Sequence, residues 1–252
     1  MNRKRLIPLI TPLTLLILNE LVLIYPKIFF VALSLGVILI FFSVRILGRE
    51  TKEKFWPFYA ILPILVFLSF SAYSALIASS LLVQIFFLAA FVLNFYYLRA
   101  IYYYLLKEEF ARETQISSFS TLVAVFIIFC LYSSVYLLPL FINIKPALLA
   151  FMPLPAACFL FFSGTKSVTR SIKSAWIILI INTIILGQIS WIISYLPINP
   201  HILGFLISLS YYLLIIISVL YFRNNLNKKT IRWPLAITLL SAIALLIATR
   251  WL

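Results

Sequence analysis

The sequence predicts an all-α, polytopic integral membrane bundle of about nine transmembrane helices, N-terminus inside and C-terminus outside. Three observations carry this. Apolar runs of about 20 residues recur along the chain, and at about 1.5 Å of helical rise per residue each crosses a hydrocarbon core of about 30 Å. The composition is 65% hydrophobic and only 10% charged, against roughly 25% charged residues in soluble domains. The basic residues sit in short clusters between alternate runs, the pattern by which Lys and Arg hold loops on the cytoplasmic side.

The spans follow in order. Span one covers 6–24 and carries Pro8 and Pro12 near its start, then a tip at Tyr25-Pro26-Lys27. Span two covers 28–47 and descends to Arg45, Arg49, Lys52 and Lys54. Span three, 56–76, opens on Trp56-Pro57 and holds Pro63 as a kink. After Ser79 and Ser80, span four covers 81–98, carries Gln84 and Asn94, and ends at Arg99. In the following segment Tyr103, Leu106 and Phe110 recur at helical spacing and Glu108 and Arg112 form an i,i+4 pair. It extends span four as a helix or lies along the headgroups.

Span five covers 119–140 and span six 147–162. Pro153 and Pro155 break span six, which hydrocarbon tolerates only where protein or water satisfies the freed carbonyls. The alternative is therefore eight spans plus a re-entrant segment. Spans seven, 175–196, and eight, 201–222, form a hairpin with basic residues at its base and a tight Pro197-Ile-Asn-Pro200 tip. Span nine covers 233–248. With the N-terminus inside, seventeen of the 20 basic residues face the cytoplasm, and Lys27, Lys145 and Arg250 do not.

The loops are too short for a soluble domain, so 1–252 reads as one transmembrane domain of helical hairpins. The N-terminal Met1-Asn-Arg-Lys-Arg5 run resembles the start of a signal peptide but lacks an A-x-A-like cleavage site, so it reads as a retained first span. Two phrases, Ile17-Leu-Asn-Glu20 and Ile185-Leu-Gly-Gln188, each followed by Tyr and Pro, make a weak internal repeat. The location expected is the inner or plasma membrane, and the partners are membrane lipids and other membrane proteins. The +14 net charge does not point to nucleic acid, because the charges line no single face.

Catalytic motifs are scarce. The chain has no aspartate and a single histidine, His201. That excludes paired-aspartate chemistry and H-E-x-x-H zinc sites. Neither G-x-S-x-G nor a P-loop occurs. Cys130 and Cys158 lie inside apolar runs without a C-x-x-C neighbour and read as small buried hydrophobes. Glu108-Glu109-Phe-Ala-Arg112 is one residue short of the CAAX-type protease spacing and lacks the partner histidines, so it reads as a solvated helix. No catalytic, metal or cofactor residue is assigned.

Glu20 is the only acidic residue inside a span. A charged group in hydrocarbon costs about 2.5–3.5 kcal/mol on insertion scales, so Glu20 is expected to face the bundle interior, snorkel to the outer interface or pair with Lys27. Asn19, Gln188, Trp191 and His201 are its expected neighbours in a polar cavity, if spans one and seven pack together. The phrase Gln188-Ile-Ser-Trp191, with Leu196-Pro197 and Tyr211-Tyr212 further on, resembles an uncharacterised family of polytopic membrane proteins from small-genome bacteria. The resemblance covers about one fifth of the chain and implies no activity. In that family the Gln188 position is often acidic, so glutamine weakens any catalytic reading there.

Three function classes therefore compete: a small carrier or lipid-handling protein built around Glu20, a non-catalytic scaffold or partner subunit, and a lipid-modifying enzyme. The missing aspartate and scarce histidine make the enzyme the weakest of the three.

Overall fold

A computed structural model of the chain describes residues 3–48, 57–106, 113–166 and 172–249. Among these every regular element is helical. Ten α-helices run in order: α1 Ile7–Ile24, α2 Phe29–Gly48, α3 Phe58–Ser74, α4 Ser80–Leu106, α5 Glu113–Leu137, the short α6 Pro146–Leu149, α7 Leu154–Lys166, α8 Ile172–Ile193, α9 Pro200–Phe222 and α10 Lys228–Ala248. Eight segments are long and apolar enough to cross a membrane, α6 and α7 counting together as Pro146–Thr165. The one remaining predicted span, span three, is α3, a shorter apolar helix of 17 residues. The basic stretch 49–54, Trp56, the Glu108–Arg112 pair with Phe110, and Arg250 lie outside the described residues.

Local chemistry sets the boundaries. The tip after α1 is a 3-10 turn at Pro26–Ile28, where proline's missing N–H costs nothing. At the second hairpin tip the Asn199 side chain accepts the His201 N–H at 3.0 Å and starts α9. α9 ends with Asn224 in the left-handed region (φ 52°). There the Asn225 N–H reaches back to Leu220 O at 3.0 Å, in a Schellman-like closure. α10 begins at Lys228 rather than near Trp233, because Asn227 and Thr230 form a capping box that extends the helix outward.

The helices group into two compact units, Met1–Ile116 and Ser117–Leu252. In the first, α1 packs on α4 and α2, and α3 packs on α4 and α2. Hydroxyls join the helices. Ser43 Oγ gives its proton to Leu39 O at 2.7 Å, so at the 2.8 Å contact between the two hydroxyls it is Thr11 that donates to Ser43. In the second unit α7, α8 and α9 pack on one another and α10 packs on α9. Asn182 donates to Ser218 Oγ across α8 and α9 at 2.6 Å. Many other hydroxyls bond a carbonyl one turn back in their own helix, as Ser74, Ser134 and Thr183 do. That satisfies them without a partner helix.

Span six is broken where the prolines predict it. α6 stops at Leu149, and after a turn through Ala150–Pro153 the chain resumes as α7. Leu154 N–H bonds Phe151 O rather than Ala150 O. Ser190 Oγ on α8 approaches Ala150 O at 3.3 Å while bonding Gly187 O at 2.9 Å, and Tyr136 OH on α5 donates to Ser190 O at 2.7 Å. The single Ser190 hydroxyl proton is shared unequally, mainly with Gly187 O and only weakly with Ala150 O, so the neighbouring helix covers the broken turn without fully replacing its lost donors.

Burial is uneven. In the most apolar 18-residue stretch of each, the Phe119–Leu140 segment is 61% buried and α10 only 6%, so α5 is a core helix and α10 a peripheral one. Tyr211 is fully buried, and its ring lies 4.5 Å from Phe161. Among the described residues its hydroxyl has no hydrogen-bond partner. An unpaired buried hydroxyl costs about 1–3 kcal/mol. Tyr211→Phe is therefore expected to preserve or raise thermal stability in detergent. A clear loss of stability would mean that the hydroxyl has a bound water to lose.

Candidate functional site

The polar residues singled out in the sequence fall in both units. Asn19 and Glu20 are consecutive on α1 and so project about 100° apart. Each reaches a different helix of the first unit. Asn19 is buried and accepts from Ser71 Oγ on α3 at 2.8 Å. Glu20 is half-buried, and its Oε2 accepts from Gln84 Nε2 on α4 at 3.2 Å. The four side chains thus stand where the C-terminal turns of α1 meet the C-terminal part of α3 and the first turns of α4. Sequence reasoning noted Gln84 as a polar residue of span four but did not join it to Glu20, and it did not single out Ser71.

Gln188, Trp191 and His201 belong to the second unit. Gln188 is exposed on α8, on the side opposite the buried Asn182, Leu186 and Ser190. Trp191 is exposed and meets Tyr195 edge-on at 5.8 Å. His201 is half-buried in the first turn of α9, its N–H held by Asn199. Cys130 is buried and Cys158 half-buried, and both are free thiols. Among the described residues no group of three or more His, Cys, Asp or Glu comes together to hold a metal ion.

A carboxylate faced by a carboxamide donor can accept a proton, coordinate a small cation or hold a headgroup ammonium. Among the described residues the side chain bonded to it is the Gln84 amide, which is neither a general acid nor a general base. The fold and this polar group define a multi-pass helical membrane protein. Over residues 43–248 the chain matches the model of a family described as proteins of unknown function (DUF5656), and it belongs to that family. The matched region takes in Ser71, Gln84, Gln188, Trp191 and His201 and starts after Asn19 and Glu20. No curated protein and no solved structure matches the chain significantly.

Proposed function

We propose that this protein is a small carrier or lipid-handling protein of the bacterial inner membrane, with its N-terminus inside, working through Glu20. The observation that carries the reading is the Glu20 carboxylate, placed in an apolar helix and met by the Gln84 amide at 3.2 Å beside the buried Asn19–Ser71 pair. Glu20 lies four residues from the end of α1, where a charge costs less than the about 2.5–3.5 kcal/mol of the bilayer centre, and its bond to an exposed amide leaves the site open to the outer side. A carboxylate so placed suits exchange of a proton or a small cation with the outer side.

The test is proton movement in liposomes loaded with a pH-sensitive dye, under an imposed pH gradient. Wild-type protein should collapse the gradient, or retain co-purified lipid, and Glu20→Gln should lose that signal by tenfold or more, about 1.4 kcal/mol. Glu20→Gln that matches wild type in both assays removes the proposal.

A further inference from the structure

The other end of the α1–α4 pair carries a second feature, which goes beyond the carboxylate site and takes from that reading only the position of Glu20 in the bilayer. A cavity of about 340 Å³ opens there, with Arg5 and Arg99 among its lining residues. From Arg5 to Glu20 and from Gln84 to Arg99 the chain advances by the same fifteen residues in opposite directions. The two polar pairs are thus separated by roughly 22 Å of helix. That distance approaches the hydrocarbon thickness of about 30 Å, so an outer-interface Glu20 places the arginines near the opposite headgroup layer.

We infer that this cavity binds the phosphate of an acidic phospholipid. Arg99 is held in place by aromatic faces, its guanidinium lying 6.0 Å from the Phe95 ring centroid and 5.7 Å from that of Tyr103. A preoriented planar fork loses little freedom when it clamps a phosphate. Arg5 precedes the first turn of α1, where the helix dipole is positive and the N-cap residue, Leu6, has no polar side chain to cap it. The remaining wall is apolar or aromatic: Pro8, Leu9 and Tyr102. Basic groups beside an apolar wall suit a lipid phosphate with its glycerol and upper acyl carbons better than a free anion. The volume sits at the lower end of ligand sites, large enough for a headgroup and too small for a whole lipid. Among the described residues no carboxylate lines the cavity to receive a choline or ethanolamine ammonium, and Arg99 already occupies the Phe95 and Tyr103 faces.

The experiment uses the full chain in nanodiscs of phosphatidylcholine alone and of phosphatidylcholine mixed with phosphatidylglycerol, with retained lipid read by native mass spectrometry. Wild type should keep phosphatidylglycerol preferentially. Arg5→Gln and Arg99→Gln should each lower that retention about fivefold, at about 1 kcal/mol per basic group. Arg99→Lys should fall between wild type and Arg99→Gln, and Arg45→Gln, an exposed arginine of α2, should change nothing. Equal retention of the two lipids by wild type overturns the assignment, and so does an Arg5→Gln/Arg99→Gln protein that holds phosphatidylglycerol as before. Inorganic phosphate that displaces the lipid at equal concentration moves the site to a free anion and overturns the lipid reading too. Should the double variant fail to elute as a single species, the wild-type comparison of the two lipids decides alone.

Discussion

Gly204→Ala is expected to open the second unit, at a cost of about 3 kcal/mol, the upper end of what overpacking a core costs. A Cβ built on Gly204 would overlap Ser133 Oγ, and it would lie 2.7 Å from the Ser133 backbone nitrogen and 3.0 Å from its Cα. Ser133 is fully buried in α5, and Gly204 is buried in the second turn of α9. The two backbones approach closely because a glycine stands between them, the device that lets helices pack in lipid. Only moving a whole helix relieves contact with a backbone atom. Ser133→Ala therefore should not rescue Gly204→Ala, since N and Cα stay where they are.

Cys130 lies on α5 three residues before Ser133 and is fully buried, so its thiol reports the opening directly. In a Cys158→Ser background, Gly204→Ala should accelerate labelling of Cys130 by about a hundredfold, at 1.4 kcal/mol per decade. Labelling at the parent rate would show that α5 and α9 are not in close contact at this point, and restoration by Ser133→Ala would show that the Ser133 side chain rather than its backbone is what the added methyl meets.

This contact also shows where sequence reasoning stops. The spans were legible because each is a long apolar run bounded by basic residues or proline, and the break in span six was legible because two prolines two residues apart remove helix donors. Three-dimensional partners were not. Gly204 in HILGFL looks like filler until α5 is placed beside it. Ala150 O needs a donor by the logic of a broken helix, but only packing shows that the Ser190 hydroxyl, bonded mainly to Gly187 O, is the group that comes near it. Glu20 and Asn19 stood out as polar residues in hydrocarbon, whereas Gln84 and Ser71 became their partners only once α4 and α3 were set against α1. Arg99 read as the end of a span, and nothing in its local sequence points to a cavity shared with a residue ninety-four positions earlier.

The boundary of α10 failed for a different reason. Hydropathy finds where apolar residues begin, while the Asn227–Thr230 cap decides where the helix begins. Three basic residues therefore stand in the first two turns of α10, in a segment read as a loop.

Gly36→Ala tests the same kind of contact in the first unit and should behave differently, because its obstacle is a side chain. A Cβ on Gly36 of α2 would overlap Cε1 and Cζ of the Phe67 ring on α3 and come within 3.0 Å of Cδ1. Phe67 is 1% exposed, so its ring has no free space to swing into, and the substitution is expected to cost about 2 kcal/mol. Phe67→Leu deletes the two overlapping ring atoms. The pair Gly36→Ala/Phe67→Leu should then be more stable than the sum of the single changes by about 1–2 kcal/mol, read as survival of a single elution peak after heating in detergent. Strict additivity would mean that α2 and α3 do not meet through this ring. Rescue at Gly36 combined with no rescue at Gly204 separates the two ways a glycine brings helices together: a flat aromatic ring laid in its notch, or one backbone resting against another.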